Sequence, residues 1–160
     1  MNVEVREATE YEVGAAHHIM LEAFEEYRYL NVPSSAINES LTYVLNQYRM
    51  GKEKVLLCLV HGTPLGSLRF SINENGLYFL RVSVPPYARG RGLAKTMLAW
   101  LENYAISTNL SKLECRVRMS LPQNIHLYQS LGYRAVKEET VTNPNGFDVK
   151  TVVMEKRLSY

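Results

Sequence analysis

The chain has 160 residues, enough for one domain with a proper hydrophobic core. Apolar residues make up 46% and charged residues 21%, ordinary values for a soluble globular protein, and a net charge of +2 is too small to make nucleic acid the main partner. No run approaches the about 20 apolar residues that span a bilayer. The acidic, alternating start "MNVEVREATE" is not a secretory signal, so a cytoplasmic protein is the default.

In chain order, "NVEVREA" alternates apolar and polar and predicts a first strand. From Thr9, a possible cap, the period becomes helical: Val13, Ala16, Ile19, Met20, Ala23, Phe24 and Tyr27 recur on one face. "NVPSSAINES" interrupts, and "INESLTYVLNQYRM" predicts a second helix that ends at Gly51. "KVLLCLV" reads as a buried strand, "HGTP" as a turn, and "LGSLRFSI" and "LYFLRVSV" as strands joined by the hairpin turn "NENG". Leu93, Met97, Leu98, Trp100, Leu101 and Tyr104 trace another helical stripe. "KLECRVRM" alternates as a strand with Leu113, Cys115, Val117 and Met119 on one side.

"SLPQNIHLYQSLGY" predicts a helix with a capping box from Ser120 to Gln123, Pro122 in its first turn and Gly132 at its end. Two last strands, 133–142 and 147–158, flank "NPNG". The order β-α-α-β-β-β-α-β-α-β-β, with no repeat or long linker, predicts an α/β single domain: a mixed sheet with helices packed on it. The two cysteines, Cys58 and Cys115, sit inside apolar strands and read as buried thiols of a reducing compartment.

One stretch concentrates chemistry. No acidic residue lies between Glu74 and Glu102, yet Arg81, Arg89, Arg91 and Lys95 all do, around the glycine-rich "PPYARGRGLAK" between a strand and a helix. Such a turn presents unpaired N–H groups at the positive end of a helix dipole, a site for phosphate oxygens. Glycines allow close approach and the basic side chains add charge-assisted bonds. A plain tight turn would need neither the acid-free window nor the arginines. The P-loop fails, since Ala94 precedes Lys95 and Arg89 stands where its first glycine belongs. The dinucleotide fingerprint fails because Lys95 occupies its third glycine position.

Arg89-Gly90-Arg91-Gly92-Leu93-Ala94 resembles the Arg/Gln-x-x-Gly-x-Gly/Ala signature of the GCN5-related N-acetyltransferases, and "NIHLYQSLGY" resembles that family's second hallmark at the expected distance. The element order is similar over essentially the whole chain, so the resemblance implies the acyl-CoA N-acyltransferase fold of that family. It implies acetyl-CoA as co-substrate, no metal, and direct attack by a primary amine in a ternary complex. The backbone of Val82, Ser83 and Val84 would then pair with the pantetheine arm of the cofactor, and an amide near Val82 or Ser83 would stabilise the oxyanion. Arg89, Gly90, Arg91, Gly92, Leu93, Ala94 and Lys95 would hold the pyrophosphate, and Asn124 would face the cofactor.

By the same resemblance Tyr128 protonates the departing thiolate, a hydroxyl of ordinary pKa about 10 being competent to do so. Its spacing with Ile125 and Leu131 also fits an apolar packing stripe. The general base is open: Glu114, Glu25 and Glu26 are candidates, and Arg81 stands where some relatives carry a glutamate. His17 and His18 point to different sides of a helix and do not read as a metal pair. Cys115 lacks a His partner near in sequence for a nucleophilic role. The acceptor pocket is expected between "EEYRYLNVPSSAIN", with Tyr27, Arg28 and Tyr29, and the last hairpin. The resemblance implies a small-molecule or peptide amine as acceptor, a homodimer through the C-terminal strands is an expectation, and neither nucleic acid nor membrane is expected as a partner. The alternative is a domain of the same fold that binds acetyl-CoA or CoA as a sensor without turnover.

Overall fold

The computed structural model describes residues 1–30 and 32–158. Asn31, part of the expected acceptor loop, lies outside the described residues. The elements are β1 (Val3–Glu7), α1 (Val13–Phe24), α2 (Leu41–Arg49), β2 (Lys54–Val60), β3 (Thr63–Asn73), β4 (Gly76–Ser83), α3 (Leu93–Ser107), β5 (Lys112–Arg118), α4 (Pro122–Ser130), β6 (Arg134–Thr142) and β7 (Asp148–Arg157). They follow the predicted order, with 3-10 turns added at Glu10–Glu12, Glu25–Tyr29, Ser35–Asn38 and Pro86–Ala88. The strand order is β1-β2-β3-β4-β5-β7-β6. β4 pairs parallel to β5, while β1/β2, β2/β3, β5/β7 and β6/β7 are antiparallel, which makes the sheet mixed. Among the described residues no helix is long and apolar enough to cross a membrane.

The chain divides into two compact units. The first comprises Met1–Ser71 and Leu80–Leu101. Its centre is β2, whose "VLLCLV" is buried on both faces, as expected of an interior strand covered on each side. Val55, Leu57 and Leu59 pack with Val13, Ala16 and Ile19 of α1 and Val44 of α2. The opposite face meets α3: a Cβ added to Gly66 of β3 would lie 3.1 Å from the Met97 Cε and 3.2 Å from the Cys58 Cβ, so the missing side chain makes room for Met97. Phe70 and Trp100 add an edge-to-face ring contact with centroids 6.1 Å apart.

The second unit comprises Ile72–Phe79 and the described residues from Glu102 onward. Leu113, Cys115 and Val117 of β5 are buried, as their alternation predicts, and Phe79, Tyr128 and Tyr133 form a cluster of tilted and edge-to-face rings. α4 packs on β5. β6 is the last strand in the order and is largely exposed, carrying Arg134, Lys137, Glu138 and Glu139, a charge pattern that guards a sheet edge.

Three local expectations are corrected. Thr9 caps the 3-10 turn ahead of α1: Glu12 accepts from its N–H at 2.9 Å and its hydroxyl at 3.2 Å. The second helix begins at Leu41, not in "INES", because the Ser40 hydroxyl accepts from the Tyr43 N–H at 3.0 Å and fixes the start there. The Ser120–Gln123 capping box does not form. Pro122 forces Leu121 out of the helical region (φ −119°, ψ 69°), so Leu121 becomes the cap and makes no side-chain bond.

The hairpin turn between β3 and β4 depends on Gly76, at φ +153°, where an added Cβ would run into the Lys112 carbonyl oxygen. Gly76→Ala should therefore lower stability by about 2 kcal/mol, seen as a lower urea midpoint at unchanged slope.

Candidate active site

In the first unit, the last part of β4 leads into the basic turn. Arg81 sits at φ +55° inside the strand, a left-handed conformation rare for a long side chain, and the buried Ser83 hydroxyl donates to the Arg81 carbonyl at 2.8 Å. Pro85 and Pro86 begin a 3-10 turn closed by the Ala88 N–H to the Pro85 oxygen (2.9 Å) and the Arg89 N–H to the Pro86 oxygen (3.3 Å). Gly90 (φ +82°) and Gly92 (φ +74°) then turn the backbone left-handed into α3. The first N–H of the helix to find a partner belongs to Thr96, which donates to the Gly92 carbonyl at 3.0 Å.

Among the described residues, the N–H groups from Gly90 to Lys95 have no partner, and nothing lies within 4 Å of where a Cβ would stand on Gly90 or Gly92. The result is an open row of donors at the positive end of a fifteen-residue helix. Its geometry fits an oxyanion-rich group such as a pyrophosphate.

The three basic side chains of the turn differ. Arg91 and Lys95 are exposed and have no ion-pair partner among the described residues. Arg89 is occupied: its Nε donates to the Val84 carbonyl at 2.9 Å, its Nη2 to the Ala23 carbonyl at 3.3 Å, and its guanidinium forks onto Glu26 at 2.8 and 3.1 Å. Sequence distance hides this pair, because 63 positions separate the partners.

Arg81 joins a second charged cluster that the sequence did not reveal. Its Nη2 donates to the Ser35 hydroxyl and to Glu39, both at 3.0 Å, and its guanidinium lies 6.0 Å from the centre of the Phe24 ring. Glu39 also receives the buried Arg69 at 2.8 Å, and Arg69 reaches Glu53 at 2.9 Å. Burial alone would raise the Glu39 pKa, but Arg81 and Arg69 outweigh it and hold the carboxyl below its ordinary value.

Other candidates are placed as follows. Tyr27, Arg28 and Tyr29 occupy the 3-10 turn directly after α1; Tyr29 is exposed and Arg28 is bonded to Glu25 at 2.8 Å, which lowers the Glu25 pKa. Val82 and Val84 are half-buried. His17 Nε2 lies 2.7 Å from the Glu39 carbonyl and His18 approaches Glu22, so the two rings have separate partners. In the second unit, Tyr128 is buried in its ring cluster, Asn124 is half-buried in the first turn of α4, and Glu114 lies 3.2 Å from Lys112 Nζ. Burial pushes the Cys115 thiol far up, which leaves it a poor nucleophile.

Residues 16–133, more than half of the chain, match the model of the acetyltransferase (GNAT) family. The chain belongs to that family. Among known relatives, the catalytic subunit naa20 of the N-terminal acetyltransferase B complex of Schizosaccharomyces pombe is 35% identical over 80 residues. That match covers 49% of this GNAT chain and 44% of the yeast protein, less than half of the relative's length. Two solved structures share the fold over nearly the whole of both chains. Ard1 from Thermoplasma volcanium has a TM-score of 0.80 at 14% identity, covering 100% of each chain. The PaiA N-acetyltransferase of Thermoplasma acidophilum, solved with coenzyme A, has a TM-score of 0.79 at 15% identity, covering 99% of this chain and 100% of that one.

The Glu39 cluster yields a stability test. Removing one carboxylate shared by two enclosed guanidinium groups should cost about 3 kcal/mol, so Glu39→Gln should unfold at clearly lower urea than the wild type at neutral pH. Because folding lowers the Glu39 pKa, this contribution is complete above its ordinary value of 4.5 and is lost as pH falls through the lower folded value. The gap between variant and wild type should thus narrow below about pH 4.5.

Proposed function

We propose that this GNAT chain, working as one domain, transfers the acetyl group of acetyl-CoA to a primary amine of a small molecule or peptide. The observation that carries the reading is the open row of N–H groups from Gly90 to Lys95, flanked by the unpaired cations Arg91 and Lys95. A multiply charged pyrophosphate matches that row, and the coenzyme A bound by the PaiA relative is a ligand of this kind.

In this reading the backbone of Val82–Val84 pairs with the pantetheine arm and an amide of that strand polarises the acetyl carbonyl. The bond from Ser83 to the Arg81 carbonyl stiffens this backbone before the ligand arrives. Asn124 contributes a polar contact to the cofactor. The amine nitrogen attacks the carbonyl carbon, the C–N bond forms and the C–S bond breaks. The thiolate takes the Tyr128 hydroxyl proton, while the ammonium proton leaves to a base, for which Glu114 is our candidate. Tyr27, Arg28 and Tyr29 would line the acceptor's approach.

One observation favours the second reading, a sensor that binds the cofactor without turnover. Glu25, Glu26 and Glu39 are all held by arginines, so these three carboxylates of the first unit are engaged rather than waiting for a proton.

Calorimetric titration should show acetyl-CoA binding that weakens about tenfold in Arg91→Gln and again in Lys95→Gln, a difference of about 1.4 kcal/mol each. Thiol release across a panel of amines and N-terminal peptides separates the two readings. The enzyme releases CoA with some acceptor, and Tyr128→Phe should lower kcat about 100-fold with little change in cofactor affinity. Binding without release from any acceptor would support the sensor, and no binding would overturn the reading of the turn.

A further inference from the structure

The anion-binding turn is tied to the end of α1 by the first arginine of its own motif. A guanidinium has five N–H donors, and Arg89 directs them to the Val84 carbonyl, the Ala23 carbonyl and both oxygens of Glu26. Tyr87, two residues earlier, makes a parallel tie by donating to Glu22 at 3.0 Å. Both ties reach the last turn of α1 and the residues just after it. The Ala23 contact also places a cation at that helix's negative end.

A phosphate ligand would be an awkward role for this side chain. To reach an anion, Arg89 would have to leave Glu26 and abandon two carbonyls, and the carboxylate it neutralises would then be exposed near the anion. Arg91 and Lys95 face no such conflict. Stability alone is also a weak reason for the pair, because Arg89 and Glu26 are 42% and 41% exposed and solvent-screened pairs contribute little. What the tie does supply is a fixed entry to a segment that Gly90 and Gly92 would otherwise leave conformationally free.

We infer that Arg89 is a positioning residue, a latch that with Glu26 presets the Gly90–Lys95 row for the cofactor's pyrophosphate rather than binding the phosphates itself. This rests on the acetyl-CoA reading above. It also makes Glu26 part of the cofactor apparatus rather than a free general base. The same latch links the turn to the Glu25–Tyr29 segment, so ligand binding at the turn and order in that segment should be coupled.

The two roles predict opposite signs. If Arg89 is a latch, Glu26→Ala and Arg89→Gln should each weaken CoA binding by about three- to tenfold, and the double variant should be no weaker than either alone. The exchange of charges, Arg89→Glu with Glu26→Arg, should recover part of the loss. The dependence of CoA affinity on salt should stay close to that of the wild type in Arg89→Gln, because no phosphate contact is removed. Melting of the ligand-free variants within a few degrees of the wild type shows that these losses are not loss of fold. If instead Arg89 binds phosphate, Glu26→Ala should leave affinity unchanged or tighten it, and Arg89→Gln should flatten the salt dependence; either result overturns the inference.

A ligand-free readout keeps the latch testable even if the wild type binds no CoA, the result that would sink the cofactor reading itself. NMR relaxation should show lower backbone order at Gly90–Gly92 in Glu26→Ala and in Arg89→Gln than in the wild type. Unchanged order there would overturn the latch.

Discussion

Six consecutive backbone N–H groups, from Gly90 to Lys95, have no partner among the described residues, and much of the first unit can be read as the arrangement that tolerates them. Unpaired donors are acceptable only where water or a ligand can serve them. The left-handed turns at Gly90 and Gly92 keep the row open, and the helix behind it adds its dipole. That helix is anchored through Leu93, Met97 and Leu101, all buried. The alternative to ligand binding, a bare helix start, would not need two unpaired cations beside it.

Carboxylates control where the remaining positive charge goes. Glu26 takes Arg89, and Glu39 takes both Arg81 and Arg69, so among the described residues the cations left without an ion pair in the basic stretch are Arg91 and Lys95. Pairing therefore focuses a diffuse basic window onto one end of α3. The Glu39 cluster also steadies an unusual strand: Arg81 holds a left-handed backbone in β4, and its side chain is bonded to Ser35 and Glu39 of the segment between α1 and α2. A strained residue persists only where its surroundings over-determine it, and three bonded partners together with Phe24 do so here.

In the second unit Tyr128 is placed by packing. Its ring lies 5.9 Å from Phe79 and 5.7 Å from Tyr133, contacts that fix the side chain by its apolar body. Burial pushes the neighbouring Tyr133 hydroxyl up, leaving it a weak acid.

Periodicity and turn chemistry alone determined the element order, the buried faces of β2 and β5, the glycine-closed hairpins and the glycine-rich, basic turn "ARGRGLAK" ahead of α3. These are local properties: a strand's alternation or a left-handed glycine is written in neighbouring residues. Sequence failed locally where one residue overrode a pattern, as Pro122 did by pushing Leu121 out of the helical region. Only the tertiary structure decided which charges are available. Arg89, Arg91 and Lys95 look equivalent along the chain, yet Arg89 alone meets a carboxylate, 63 positions away. Ion pairing depends on distances of a few ångströms in space, and sequence separation carries no information about them until the chain has folded.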